Sequence, residues 1–377
     1  MSSTALSLDE ARRTKQEVAA YVRELTAHQV GASAAGGRSG VAVGLAPQPD
    51  GGYAVAVRYR LGHPRTRMVA RRVAEQVGPA VDVRRTGRIN AVPGRGGSDA
   101  VAAISSAEPA DGAGTGGRDQ TAGTGPRPPV VTALAAGETG RARPLRPGVS
   151  IAHVSVSAGT LGAFVRVSGR LHALSNYHVL VGSPSASIGD PVLQPGPADG
   201  GRDPQDRIGS LAAFVELRPG VTAVVDAAVA LLDEGIGVDL AYPVGPVTEV
   251  ADALGAEEVE KIGRTTGVTR GRITAIELDD VVVGYGEELG ELSFDGQIEV
   301  ESLGTGPFSR GGDSGSLVYL AGGDDRPGTA VGLLFAGSES GGENGTGLTY
   351  LNPIGAVLEQ LGAELAVEVS SGGSPSR

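Results

Sequence analysis

The chain of 377 residues contains no cysteine and no tryptophan, and aromatic residues make up only 3% of it. Without cysteine there is no disulfide framework, no zinc ribbon or iron–sulfur cluster, and no thiolate nucleophile. Few aromatics leave few platforms on which single-stranded nucleic acid could stack. No apolar run approaches the roughly 18 residues that a membrane span requires, so no membrane association is expected. The opening segment MSSTALSLDEARRTKQ is charged and lacks an apolar centre, so no secretory signal is expected. These deficits favour a cytoplasmic location.

What is present is Val, Ala and Leu: 40% of residues are hydrophobic, enough for a sizeable core of small branched side chains. The formal net charge is -11, but it is unevenly spread. Residues 1–150 carry 20 Lys/Arg against 12 Asp/Glu, and residues 151–377 carry 12 against 31. A basic front half raises nucleic-acid binding. Its arginines are scattered, however, and no nucleic acid is expected as a partner. The acidic second half suits a basic substrate or simply solubility.

Residues 7–28 read as one amphipathic helix, opened by a capping box of Ser7 and Glu10. Two strands, GVAVGLA and YAVAVRYRL, follow on either side of the turn-forming PQPDGG. A short helix over 66–77 and a strand from Val81 to Ile89 complete a small α+β module at residues 1–92. Residues 91–150 differ in kind, with 19 Gly or Pro and no aromatic. Such composition buries too little apolar surface to offset ordering entropy, so residues 93–146 read as a linker. Gly112, Gly114 and Gly117 form a GxGxxG string there, but no strand and helix flank it, so dinucleotide binding is rejected. From about residue 147 to 364 short Val-rich alternating runs are divided by Gly, Asp, Asn and Pro, as in a β-sandwich or barrel. A helix after Asn352-Pro353 ends this part, and the composition of residues 365–377 predicts a disordered tail.

The segment SRGGDSGSLVY places Ser314 inside Gly-Asp-Ser-Gly, a tight turn on which backbone N–H groups of Gly312 and Ser314 can converge on an oxyanion. Taken alone, the string reads equally well as a β-turn in which Asp313 caps its own backbone. A serine nucleophile needs a base. Of the five histidines, His178 lies just beyond an apolar strand ending at Ser175-Asn176, where its ring can enter a cleft. His172 lies within that strand and reads as a packing or surface residue, and His28 and His63 belong to the front module. Asp226 interrupts the apolar AVVDAAVALLD, where a carboxylate is costly without a partner. Asp233 reads as a turn residue. The order His178, Asp226, Ser314 is that of the chymotrypsin-type triad.

On these residues the stretch 147–364 resembles a trypsin-like (chymotrypsin-fold) serine protease, of the bacterial group carrying an N-terminal α/β extension. The resemblance rests on GTLGAFVRVSGRLHALSNYHVL, QPGPADGG, VDAAVALL, KIGRTTGVTRGRI, GGDSGSLV, VGLLFAG and LNPIGAVLEQLG. It implies a mainly β fold: two six-stranded antiparallel β-barrels with a C-terminal helix, preceded by the small α+β module. It implies a serine endopeptidase with His178 as general base and acid, Asp226 as orienter and Ser314 as nucleophile. Gly312 and Ser314 would supply the oxyanion hole. Phe308 would form the base of the specificity pocket, and Phe335, Ala336 and Gly337 a wall, which suits a small or apolar side chain. No cofactor and no metal are implied. The expected partners are a protein or peptide substrate and a second copy of the chain, joined through the front module. A protease-fold scaffold that binds partners, or an esterase using the same triad, remains as an alternative.

The chain has no Ile-Val-Gly-Gly start at the first barrel, so Asp313 needs a partner other than a freed amino terminus. Arg310 or Arg264 is expected in that role, unless Asp313 only caps the turn. QPGPADGG reads either as a wall of the cleft or as a plain loop. The acidic stretch 277–301 matches no calcium-loop spacing and is expected to be a solvated hairpin.

Overall fold

The computed structural model describes residues 5–27, 40–49, 51–60, 64–91, 138–321 and 327–367. Linker residues 93–137, the GxGxxG string, His28, His63 and tail residues 368–377 lie outside the described residues.

The front module contains α1 (Leu8–Ala27), β1 (Val41–Pro47), β2 (Tyr53–Arg60), α2 (Pro64–Val77), β3 (Val81–Thr86) and a two-residue strand, β4 (Asn90–Ala91). The capping box forms as its residue types dictate: the Ser7 N–H donates to Glu10 Oε2 at 3.0 Å, and the Glu10 N–H reaches Ser7 Oγ at 3.4 Å. Strand β1 pairs antiparallel with β2, and β2 pairs parallel with β3. Val18, Val22 and Leu25 of α1 and Val69, Ala70 and Val73 of α2 share a core with the valines of β1 and β2.

The next strands are β5 (Ser150–His153), β6 (Gly159–Thr160), β7 (Ala163–Val167) and β8 (Arg170–Ser175), followed by the one-turn helix α3 (Tyr177–Leu180). Then come β9 (Pro191–Leu193), β10 (Arg207–Phe214), β11 (Thr222–Ala223) and β12 (Ala228–Leu232). Strands β7, β8, β12, β10, β9 and β5 lie side by side in that order. This first sheet is a half-barrel, with β6 and the C-terminal β23 (Ala363–Leu365) at its ends. Residues 138–149 pack against it. Leu145 is fully buried, its N–H donates to the Gly237 carbonyl, and Arg146 pairs with Glu138.

The second half holds β13 (Ala241–Tyr242), β14 (Gly245–Val250), β15 (Glu258–Gly263), β16 (Gly267–Asp279) and β17 (Val281–Gly284). After α4 (Gly286–Leu289) come β18 (Glu291–Phe294), β19 (Gln297–Ser302), β20 (Leu317–Leu320), β21 (Gly328–Gly337), β22 (Leu348–Pro353) and α5 (Ile354–Leu361). Six of these strands close a ring: β15 pairs with β16, β16 with β19, β19 with β22, β22 with β21, β21 with β20, and β20 with β15, every contact antiparallel. The architecture is therefore mainly β, a closed six-stranded barrel beside a half-barrel, in the manner of a chymotrypsin-type double barrel. The helix expected after Asn352-Pro353 is α5.

The front module is not a separate lobe, because β1 adds antiparallel to β16 and continues the barrel sheet outward. Charge explains the attachment. Arg58, only 2% exposed, donates through Nε to both oxygens of the fully buried Glu299 of β19. Arg84 pairs with Glu301 and Glu343, Arg12 with Glu277, Lys15 with Asp279, and Arg60 with Glu291. The basic front half thus neutralises the acidic back half of its own chain. The solvated hairpin expected over 277–301 holds only for the β17–β18 turn. Glu299 lies inside, because Arg58, Thr274 and Tyr350 satisfy its oxygens.

Candidate functional site

The candidate residues converge where the half-barrel meets the ring. Strand β8 ends at Ser175, and the chain turns at once into α3, which carries His178. Asp226 sits just before β12, and β12 pairs with β8 so that Ala228 faces Ser175. That register brings imidazole and carboxylate together: His178 Nδ1 lies 2.6 Å from Asp226 Oδ2. The His178 N–H also points at Oδ1, at 3.4 Å. Asp226 is completely buried, and its backbone is fixed from both halves. Asn176 Nδ2 donates to its carbonyl at 2.7 Å, and its N–H donates to Asn352 Oδ1 of β22 at 2.9 Å.

A further donor, absent from the sequence reading, is Tyr285, at the end of β17. Its hydroxyl donates to Asp226 Oδ2 at 2.6 Å, while its ring meets His178 edge-on and stacks on Phe294. Burial, reinforced by the Asp226 charge, holds this phenol well above the ordinary tyrosine range, so it stays a donor. The available signal was only its type, one of eight tyrosines in an aromatic-poor chain.

Ser314 sits in a turn built by its neighbours. The Asp313 N–H donates to the Arg310 carbonyl, and the Ser316 N–H and hydroxyl both donate to the Asp313 carbonyl. Gly312 and Gly315 each have φ of +94°, left-handed conformations that suit glycine alone. At Gly312 a Cβ would also lie 2.5 Å from Thr265 Oγ1. Among the described residues no protein acceptor takes the N–H of Gly312 or of Ser314. The half-barrel clamps this turn: the Thr160 N–H donates to the Ser314 carbonyl, and Thr160 Oγ1 donates to the Gly312 carbonyl. A Cβ at Gly315 would stand 2.1 Å from Ser175 Oγ, three residues before His178. His178 Nε2 and Ser314 Oγ are both buried, and neither has a hydrogen-bond partner. Two orphaned polar atoms at one junction each cost roughly 1–3 kcal/mol unless a ligand meets them.

Asp313 has a partner, but not the arginines expected from the sequence. Lys261 of β15, fully buried, places its ammonium 3.4 Å from Asp313 Oδ2 and also donates to Thr266 Oγ1 and the Gly267 carbonyl. The carboxylate further accepts from the N–H groups of Thr265, Thr266 and Arg310 and from Thr266 Oγ1. Arg310 thus contributes its backbone only. Arg264 is engaged elsewhere, forked onto Asp199 of the QPGPADGG segment, which in turn accepts from Ser150 Oγ. That segment is a tie between the halves. Burial pulls the Lys261 ammonium below the ordinary lysine range, with Asp313 opposing it.

The pocket candidates occupy two places. Phe308 is buried in the core of the ring with Val300, Val318 and Leu334, its ring 5.9 Å from the Lys261 ammonium. Phe335 packs on Phe294 in the core between the halves, and Ala336 and Gly337 end β21. His172 is a packing residue, its Nδ1 2.8 Å from the Arg170 carbonyl, and burial lowers its pKa. Among the described residues no group of three or more His, Asp or Glu is arranged to hold a metal ion, and no helix is long and apolar enough to cross a membrane.

A family model of the Nal1 C-terminal domain matches residues 205–348. No curated protein matches the chain. Among solved structures, Thermobifida fusca protease A is similar at 20% identity and a TM-score of 0.40, over 59% of this chain and 100% of its own. Nocardiopsis protease is similar at 18% identity and a TM-score of 0.42, over 59% and 100%. Cellulomonas bogoriensis chymotrypsin is similar at 22% identity and a TM-score of 0.39, over 59% and 99%.

Proposed function

We propose that the protein is a cytoplasmic serine endopeptidase acting through an acyl-enzyme. The carrying observation is the pair of orphaned atoms, His178 Nε2 and Ser314 Oγ, at a junction where Asp226 already holds the other ring nitrogen. With Nδ1–H donated to Asp226, Nε2 is left as the acceptor for the Ser314 proton. Ser314 Oγ then attacks the scissile carbonyl carbon while His178 takes that proton. The N–H groups of Gly312 and Ser314 meet the developing oxyanion, and Lys261 with Asp313 holds their turn in shape. His178 returns the proton to the leaving amine, and a water molecule releases the acyl group by the same steps. Asp226 orients the ring and offsets its positive charge. A small or apolar residue before the scissile bond suits Ala336 and Gly337, at the end of β21, as pocket lining, while Phe308 and Phe335 lie in two different cores.

A fluorophosphonate probe is expected to label the wild-type protein on Ser314, and Ser314→Ala is expected to abolish labelling and lower kcat by on the order of 10⁶. Folded wild-type protein that never labels would overturn the reading. It would favour a protease-fold scaffold, for which the unmade bond between Ser314 and His178 is the supporting observation. Turnover of an ester but not of the matching peptide would favour the esterase alternative.

A further inference from the structure

The sheet that carries the candidate site has an unusual member. Strand β4, from the far end of the front module, lies between β17 and β21. It runs antiparallel to β21, with Ala91 opposite Ala336 and Asn90 opposite Gly337. On its other side Gly284 pairs parallel with Asn90, and the Gly284 N–H donates to the Ile89 carbonyl at 3.0 Å. The approach to β4 is also held by backbone. The Gly87 N–H donates to the Ser340 carbonyl at 2.9 Å, and Thr86 bridges to Gly341. These backbones are so close that a Cβ at Gly87 would lie 2.8 Å from the Ser340 carbonyl oxygen, and one at Gly341 would lie 2.8 Å from that of Arg85. Ala91 is 5% exposed and shares a core with Phe335, Leu348 and Tyr350.

Direction gives this strand its meaning. Being antiparallel to β21, β4 heads from Gly337 toward Leu334. Leu334 is bonded to the nucleophile turn itself: its carbonyl accepts from the Gly315 N–H at 2.8 Å, and its N–H donates to the Ser316 carbonyl at 2.9 Å. An extended chain on this edge is therefore aimed at Ser314. Adding a strand to a sheet edge is how extended peptides are commonly bound, with main-chain hydrogen bonds giving affinity and alternate side chains giving selectivity.

We propose that residues 89–91 lie, substrate-like, on the edge of β21 that receives a peptide substrate, so that the chain competes with its own substrates. This rests on the peptidase reading above. The proposal also describes the peptides that fit: extended, with a small side chain opposite Ala336 and room for a polar one opposite Gly337. A tethered strand acts at an effective concentration on the order of millimolar, so micromolar peptide displaces it poorly. The penalty falls on the apparent dissociation constant, which is the intrinsic one divided by the fraction of molecules whose edge is free.

The test uses the full chain carrying Ser314→Ala and a fluorescein-labelled peptide of the sequence Thr86–Ala91. Anisotropy is expected to show binding at least tenfold tighter when Ala91→Pro or Gly87→Val is added, since proline removes a ladder N–H and valine clashes with Ser340. Hydrogen exchange on the Ser314→Ala chain without strand variants is expected to rise at residues 86–91 when the peptide saturates it, which needs no altered strand to fold. Bound peptide with unchanged exchange at 86–91, or equal peptide affinity with and without the strand variants, would overturn the proposal. Fluorophosphonate labelling of the chain with Ser314 intact is a separate arm. Persistent labelling alongside a negative binding result sinks the self-competition alone, and absent labelling alongside displaced strands sinks the peptidase reading alone.

Discussion

Two seams cross this molecule, and they are held by different chemistry. Where the half-barrel meets the ring, backbone groups and uncharged side chains set the contacts at Asp226 and Ser314, with Thr160 on the Ser314 turn and Asn352 on Asp226, and one ion pair, Arg264 with Asp199, lies beside them. Where the front module meets the ring, ion pairs dominate, with Arg58, Arg84, Arg12, Lys15 and Arg60 each facing a carboxylate. Neutral hydrogen bonds are directional and weaken steeply when bent, so they hold Asp226 and the Ser314 turn to a narrow geometry. Ion pairs tolerate looser geometry, and the exposed ones are weakened by salt.

Substitutions can separate the two seams. Asp226→Asn is expected to lower kcat by roughly 10⁴, because the amide no longer enforces the tautomer that leaves Nε2 free, while the front module stays docked. Steady-state kinetics beside a thermal melt checks this. Arg58→Met should do the reverse, stranding Glu299 as an uncompensated buried carboxylate and costing about 3–5 kcal/mol in denaturant unfolding. A loss mainly in kcat, with stability kept, would erase the distinction between the seams. Tyr285→Phe removes one hydrogen bond to a charged acceptor, worth about 1.5–3 kcal/mol, and is expected to slow turnover roughly tenfold or more with KM little changed. The smallest effect concerns pH. Because burial lowers the Lys261 pKa, its proton leaves at lower pH than that of an exposed lysine. The alkaline fall in kcat, as Asp313 loses its facing cation, is therefore expected to begin below the ordinary lysine range, and Lys261→Met should show the loss at every pH.

Much of this molecule was legible from local pattern. Ser7 and Glu10 announced α1, alternation announced the strands, and a carboxylate inside AVVDAAVALLD announced a partner, which proved to be His178. What local pattern does not carry is the identity of long-range partners. Arg310 and Arg264 were the obvious cations for Asp313, yet Lys261 reaches it, because β15 turns this side chain inward against β20. Glu299 sat in a stretch so acidic that solvent was the natural expectation, and only the docking of Arg58, 241 residues away, makes its burial tolerable. Tyr285 likewise acts across 59 residues, brought to Asp226 by the pairing of β11 with β18 and of β18 with β17 and not by any spacing in the chain.

The Arg58–Glu299 contact has a consequence for chain integrity. A cut anywhere from residue 92 to 137 would sever the covalent link between module and barrel and leave the buried pair, the β1–β16 ladder and the surrounding ion pairs untouched. The nicked protein would migrate as two bands on a denaturing gel and as one particle in solution, with its front piece still seated.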